Sequence, residues 1–254
     1  MLLLHGWLAS GGLNWIRAFE PLSRDYALHV PDLPGHAHST PSDADGRFEI
    51  ERSADDMAAL LERVSPGRPA IVVGYSLGGM VAQALWRRHP ERVAGLVLGA
   101  TSAAPLPRLR SRRPFAGVAQ AAGIYARILE GATRLPRAAA DRLRRLLPPP
   151  LARLPRGHWA AREFSRHHWP TVLDAGRAIA HFDARDWIAE VDVPTQILLT
   201  EHDGLIPAEQ QHALAQALPH AHVRTLDSGH FACVRPDFGE ILAESCRALT
   251  HEAA

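Results

Sequence analysis

The chain has 254 residues, 46% of them apolar and 22% charged, with a formal net charge of +1. That size and apolar share suffice for one sizeable core, and the near-neutral balance excludes a partner held by whole-chain electrostatics, nucleic acid above all. No uninterrupted apolar run reaches the roughly 18 residues of a membrane span.

In chain order, short β-rich apolar runs alternate with helical patterns, which predicts an α/β fold with a mostly parallel, doubly wound sheet. Leu2–Leu4 reads as a strand, passing at once into His5-Gly6 without the charged start or length of a secretion signal. Asn14–Leu22 fits a helix, Ala27–Val30 a strand and Ile50–Val64 a helix. Ala70–Val73 is a strand, followed by a helix over Leu77–His89 that Pro90 must end. Val93–Leu98 is the next strand. Gln196–Leu199 and Val223–Leu226 are later strands, each followed by a helix, at Ala208–Ala217 and Asp237–Leu249.

From Ser102 to about Arg185 the alternation stops. Prolines at 105, 107, 114, 136, 148–150 and 155 break a helical composition that holds sixteen arginines against five acids. Such an insertion between core strands reads as a helical cap over residues 102–185, with 1–101 and 186–254 forming the core. All 28 basic residues of the chain are arginine, which reads as compositional bias. The cap arginines, Arg112, Arg113, Arg144 and Arg145 among them, are expected to form a solvated surface. The alternative is that one or two hold a substrate carboxylate or phosphate, which arginine binds in bidentate fashion.

The chemistry concentrates at Gly74-Tyr75-Ser76-Leu77-Gly78, a G-x-S-x-G run between the strand Ala70–Val73 and a helix. In that context the serine takes a strained turn that lifts its hydroxyl off the sheet, and the flanking glycines let strand and helix approach. Ser76 is therefore the candidate nucleophile. A serine needs a base, and the base an orienting carboxylate, both to be sought just after strands at the carboxyl rim of the sheet. Asp203 follows Gln196–Leu199, and His230 follows Val223–Leu226, in the chain order Ser, Asp, His. An oxyanion would be bound by backbone N–H groups of Leu77, at the helix start, and Trp7, in the loop after the first strand.

Each assignment has a rival. Ser76 and Asp203 could merely shape turns. Asp227 stands near His230 but is expected to serve its turn, and His202 to fill a loop. His167-His168 and His220-His222 lack the companion ligands of a zinc site. Cys233 and Cys246, without a C-x-x-C, are expected to be buried free thiols of a cytoplasmic protein. No cofactor or metal is called for, and the expected partner is a small-molecule substrate.

With these residues in view, the chain resembles the α/β-hydrolase superfamily in its esterase, lactonase and haloperoxidase-like branch, and is similar to a group of actinobacterial hydrolases. The likeness rests on Leu3-Leu4-His5-Gly6-Trp7, Asp32–Ser39, Gly74–Gly79, Asp203 within Glu201–Pro207, and Gly229-His230. It extends to Trp86–Val93 and Val191–Thr195. It implies a cap after the family's sixth strand, Ser76 as nucleophile, His230 as base and Asp203 as its orienter. The implied activity is hydrolysis of an ester, lactone or thioester. A perhydrolase, a C–C bond hydrolase or a non-catalytic binding module are the alternatives. Two departures stand out. Ala37 replaces a glycine of the family's G-H-G-x-S pattern. The two strands that family members carry before the His-Gly loop are also missing. The natural start is accordingly expected upstream, and Ala27–Val30 is expected to present an open sheet edge.

Overall fold

The computed structural model describes residues 1–41, 45–106 and 157–252. Five strands, β1 (Leu2–Leu4), β2 (Ala70–Tyr75), β3 (Val93–Gly99), β4 (Thr195–Thr200) and β5 (His222–Leu226), form one parallel sheet in the order 1-2-3-4-5. Every connection between neighbours crosses over, so all carboxyl ends fall on one rim. Around the sheet lie α1 (Gly11–Trp15), α2 (Phe19–Ser23), α3 (Ile50–Val64), α4 (Leu77–Arg88), α5 (Gly157–Ser165), α6 (Trp169–His181), α7 (Ala208–Ala217) and α8 (Phe238–Glu252).

Both faces are covered, which is why the central strands are apolar throughout rather than alternating. The period-2 geometry of a strand still sorts side chains by face. Leu2, Leu4, Val72, Leu96, Leu98, Ile197 and Leu199 enter one core with α3 and α4. Leu3, Val73, Tyr75, Val97 and Leu198 enter the other with Trp15, Leu22, Phe238 and Leu242. In α3, Ile50, Ala54, Met57, Ala58 and Leu61 are the buried stripe at helical spacing. By contrast α4 is buried without a break from Leu77 to Trp86, because it lies between the sheet and its neighbours. His89 and Pro90 stop it as expected.

Two expectations are corrected. Asn14–Leu22 is two short helices, not one. Inside a continuous helix the ring of Pro21 would meet the carbonyl of Arg17, whereas in the first turn of α2 it costs nothing. Ala27–Val30 is not a regular strand either: a single bridge joins His29 to Leu2. His29 donates to Met1 O and its carbonyl accepts from Leu3 N, both at 2.9 Å. Pro31 then supplies no N–H to continue the ladder. Among the described residues no helix is long and apolar enough to cross a membrane. Most of the arginine-rich segment, including Arg112, Arg113, Arg144 and Arg145, lies outside the described residues. Its described part includes α5, whose Trp159 packs against Gly12, and α6, which packs against Trp7.

Candidate active site

Ser76 links β2 to α4 with φ 53° and ψ −115°, a conformation that an L residue adopts only under constraint. The constraint is visible on both sides. Ser76 N donates to Gly99 O at 2.8 Å, and the Thr101 hydroxyl donates to Ser76 O at 2.8 Å. A Cβ on Gly74 would lie 2.6 Å from Gly79 Cα, and one on Gly78 would lie 2.5 Å from the Leu4 carbonyl carbon. Strand β1, strand β2 and α4 thus meet where only glycine fits. Leu77 is the first residue of α4, so its N–H stands outside the intrahelical ladder, at the positive end of the helix.

Asp203 and His230 come together from the ends of β4 and β5. His230 Nδ1 is 2.8 Å from Asp203 Oδ2. The same oxygen accepts from the Thr200 hydroxyl at 2.8 Å and from Gln211 Nε2 at 3.3 Å. The other carboxylate oxygen accepts from the N–H groups of Leu205 and Ile206 at 2.8 and 2.9 Å. The Asp203 side chain is wholly buried. Burial alone would raise its pKa, but the hydrogen bond and charge of His230, with the two backbone donors, hold it below the usual carboxylate value. A carboxylate only accepts, so Nδ1 of His230 carries a proton and Nε2 is the ring nitrogen left for other partners. Among the described residues neither Nε2 nor the Ser76 hydroxyl makes a hydrogen bond, whether to each other or to a third group.

The His5–Trp7 loop is fixed by groups that sequence reasoning left unassigned. His5 Nε2 accepts from Leu33 N at 2.8 Å, which puts the proton on Nδ1, facing Gly6 O at 2.8 Å. Burial lowers the His5 pKa and keeps it neutral. Gly6 N donates to Asn14 Oδ1 at 3.0 Å, and a Cβ on Gly6 would lie 3.4 Å from Ser76 Cβ. The loop therefore runs against the serine. Trp7 Nε1 donates to Val172 O at 2.5 Å, and its ring fills the space left by Gly176 of α6. Next to it, the Asp32–Ser39 loop is pinned by Asp32, whose carboxylate accepts from Gly11 N at 2.7 Å and His38 N at 3.0 Å. Ala37, where the family pattern has glycine, sits at φ 39°, a conformation glycine would adopt without strain. His167 Nδ1 accepts its N–H at 2.7 Å.

The rivals lie elsewhere. Asp227 is exposed and pairs with His202 at 2.9 Å, away from the His230 imidazole. Glu201, His202 and Asp227 are the one grouping of three metal-ligating side chains found among the described residues, and all three are exposed. Cys233 and Cys246 are buried and free, and burial pushes each thiol up to about 12. Sequence reasoning missed Tyr75, Thr200, Gln211, Asn14 and His5. Each acts through a contact made across the fold, and no local spacing announces it.

The profile of the alpha/beta hydrolase fold family matches residues 1–235. A pimeloyl-(acyl-carrier protein) methyl ester esterase of Chromobacterium violaceum is 31% identical over 227 residues, covering 87% of this chain and 82% of that protein. One from Vibrio vulnificus is 33% identical, covering 86% and 82%. A thermophilic esterase of Thermogutta terrifontis superposes with a TM-score of 0.70 at 24% identity, covering 99% of this chain and 89% of that one. At that identity the likeness is one of fold.

Proposed function

The chain belongs to the α/β hydrolase fold family, and from that footing we propose that it is a serine hydrolase acting on a carboxylic ester through an acyl-enzyme. One observation carries the reading. A strained serine at the end of β2 and the buried Asp203 paired with His230, at the ends of β4 and β5, share one rim of one parallel sheet.

In this mechanism Ser76 Oγ attacks the ester carbonyl while His230 Nε2 takes its proton. Asp203 holds the Nδ1–H tautomer and stabilises the imidazolium that forms. The Leu77 and Trp7 backbone N–H groups hold the oxyanion at the positive end of α4. The C–O bond to the leaving alcohol then breaks, and the alcohol takes the proton from His230. Water repeats the sequence on the acyl-serine, activated by the same imidazole. Among the described residues no hydrogen bond joins the Ser76 hydroxyl to His230, and in such sites that bond forms or tightens only when substrate is bound.

The relatives' names make a methyl ester of an acyl chain the first substrate to offer. Segment 102–185 serves in this reading as a cap over the site, supported by the contacts of Trp7 with Val172 and Gly176 and of Gly12 with Trp159. The test is a panel of methyl and p-nitrophenyl esters of increasing acyl length, with lactones alongside. Ser76→Ala is expected to cut kcat by on the order of 10⁶ while the fold persists. A Ser76→Ala variant as active as the native chain refutes the assignment.

A further inference from the structure

We propose that Tyr75 is a positioning residue for His230, its phenol clamping the backbone carbonyl of the base from the strand that ends in the nucleophile. This deepens the hydrolase reading and rests on it. The Tyr75 hydroxyl donates to His230 O at 2.7 Å, and the two rings lie 5.9 Å apart. The backbone around that carbonyl explains why it needs a side-chain donor. From Gly229 the chain winds through successive i→i+3 bonds, Ala232 N to Gly229 O, Val234 N to Phe231 O and Arg235 N to Ala232 O. That series passes over His230 O, and no backbone N–H donates to it.

The phenol fills the gap. Burial, with the nearby Cys233 and Asp203, raises the phenol pKa well above its usual value, so it stays a donor across the working range. The ring has little freedom to move. Trp15 and Phe238 meet it edge-on at 6.3 and 6.0 Å, and a Cβ on Gly99 would stand 3.1 Å from Tyr75 Cδ2.

The consequence is geometric. His230 is held at two points, its Nδ1 by Asp203 and its carbonyl by Tyr75. Two anchors set the direction of Nε2, where one would leave the ring free to swing with its loop. Tyr75 and Ser76 share a peptide bond, so the second anchor ties the base loop directly to the nucleophile turn. A misplacement of about 1 Å in such a pair can cost on the order of 10²-fold in rate.

Tyr75→Phe keeps the ring and removes the hydroxyl. On the p-nitrophenyl ester that the native chain turns over fastest, kcat is expected to fall roughly 10- to 100-fold, with KM within about twofold. The rate at which a fluorophosphonate labels Ser76 should fall by a similar factor. Replacing Tyr75 by 4-aminophenylalanine restores a para donor and should recover most of both rates. Should the phenylalanine variant not fold, 4-fluorophenylalanine fills the same volume without donating and should show the same losses. Native kcat and labelling rate in the folded phenylalanine or fluorinated variant overturn the positioning role, whatever happens to the melting temperature. A native chain that neither hydrolyses esters nor takes the label fails the hydrolase reading, and the role of Tyr75 with it.

Discussion

Gly78→Ala adds one methyl group where α4 passes beneath β1. The new Cβ would lie 2.5 Å from the Leu4 carbonyl carbon and 2.8 Å from His5 O, inside the roughly 3.0 Å that real Cβ atoms respect. Both neighbours are backbone, so no side chain can swing aside. Overpacking of this kind costs about 1–3 kcal/mol, and a clash with a strand sits at the upper end. Alanine in a helix interior gives back about 1 kcal/mol relative to glycine. The clash wins, leaving a net loss of about 2 kcal/mol, or roughly 4–8 °C in melting temperature for a chain of this length. Turnover should drop as well, because His5 O, one of the atoms pushed aside, belongs to the His5–Trp7 loop. Gly204→Ala is the control: nothing lies within 4 Å of its Cβ, and melting should shift by no more than about 1–2 °C. Thermal melts followed by circular dichroism, with ester turnover on the same samples, decide the matter. A Gly78→Ala variant that melts at or above the native temperature with full turnover refutes the account of the elbow.

Asp203→Asn should leave the fold intact but cut kcat by on the order of 10⁴, since an amide cannot stabilise the imidazolium and favours the wrong tautomer; steady-state ester kinetics would show it, and a loss under tenfold would contradict the assignment. Stability should fall in mild acid. His167 is lowered to about 4 by burial, and burial also lowers His36 well below its usual value, so the unfolded chain takes up protons first. The contribution of His167 is complete above its unfolded value of about 6.5 and is lost as pH falls from there toward 4, by about 2 kcal/mol at pH 5. A urea midpoint that is flat from pH 7.5 to 5 would exclude this. Cys233 and Cys246, buried and held as thiols, should resist Ellman's reagent in the native state and react only after denaturant is added; prompt reaction of either would show their burial to be wrong.

How much was legible beforehand depended on how local the cause was. Helix α3 follows from a five-residue apolar stripe, and the bounds Ile50–Val64 and Ala208–Ala217 agree with the pattern. Strands β2 to β5 each run one or two residues past the apolar runs, because backbone pairing continues where hydrophobicity stops. Tyr75 and Gly99 are such added residues, and both bear on the site. The helix over Asn14–Leu22 failed because Pro21 outweighed the apolar spacing. Ala27–Val30 failed because a strand requires a partner, and β-propensity does not supply one.

The parallel α/β architecture and the candidates Ser76, Asp203 and His230 were readable from the chain alone. A strand, a glycine-flanked serine, a helix and two rim loops are short-range patterns with short-range physical causes. What surrounds them came from the folded arrangement: five donors gathered on the Asp203 carboxylate, Asn14 and His5 holding the His5–Trp7 loop, and the Tyr75 hydroxyl on the His230 carbonyl. These partners are separated by up to 155 positions along the chain. A hydrogen bond depends on where folding brings a donor and an acceptor, and no spacing between them in the chain encodes that meeting.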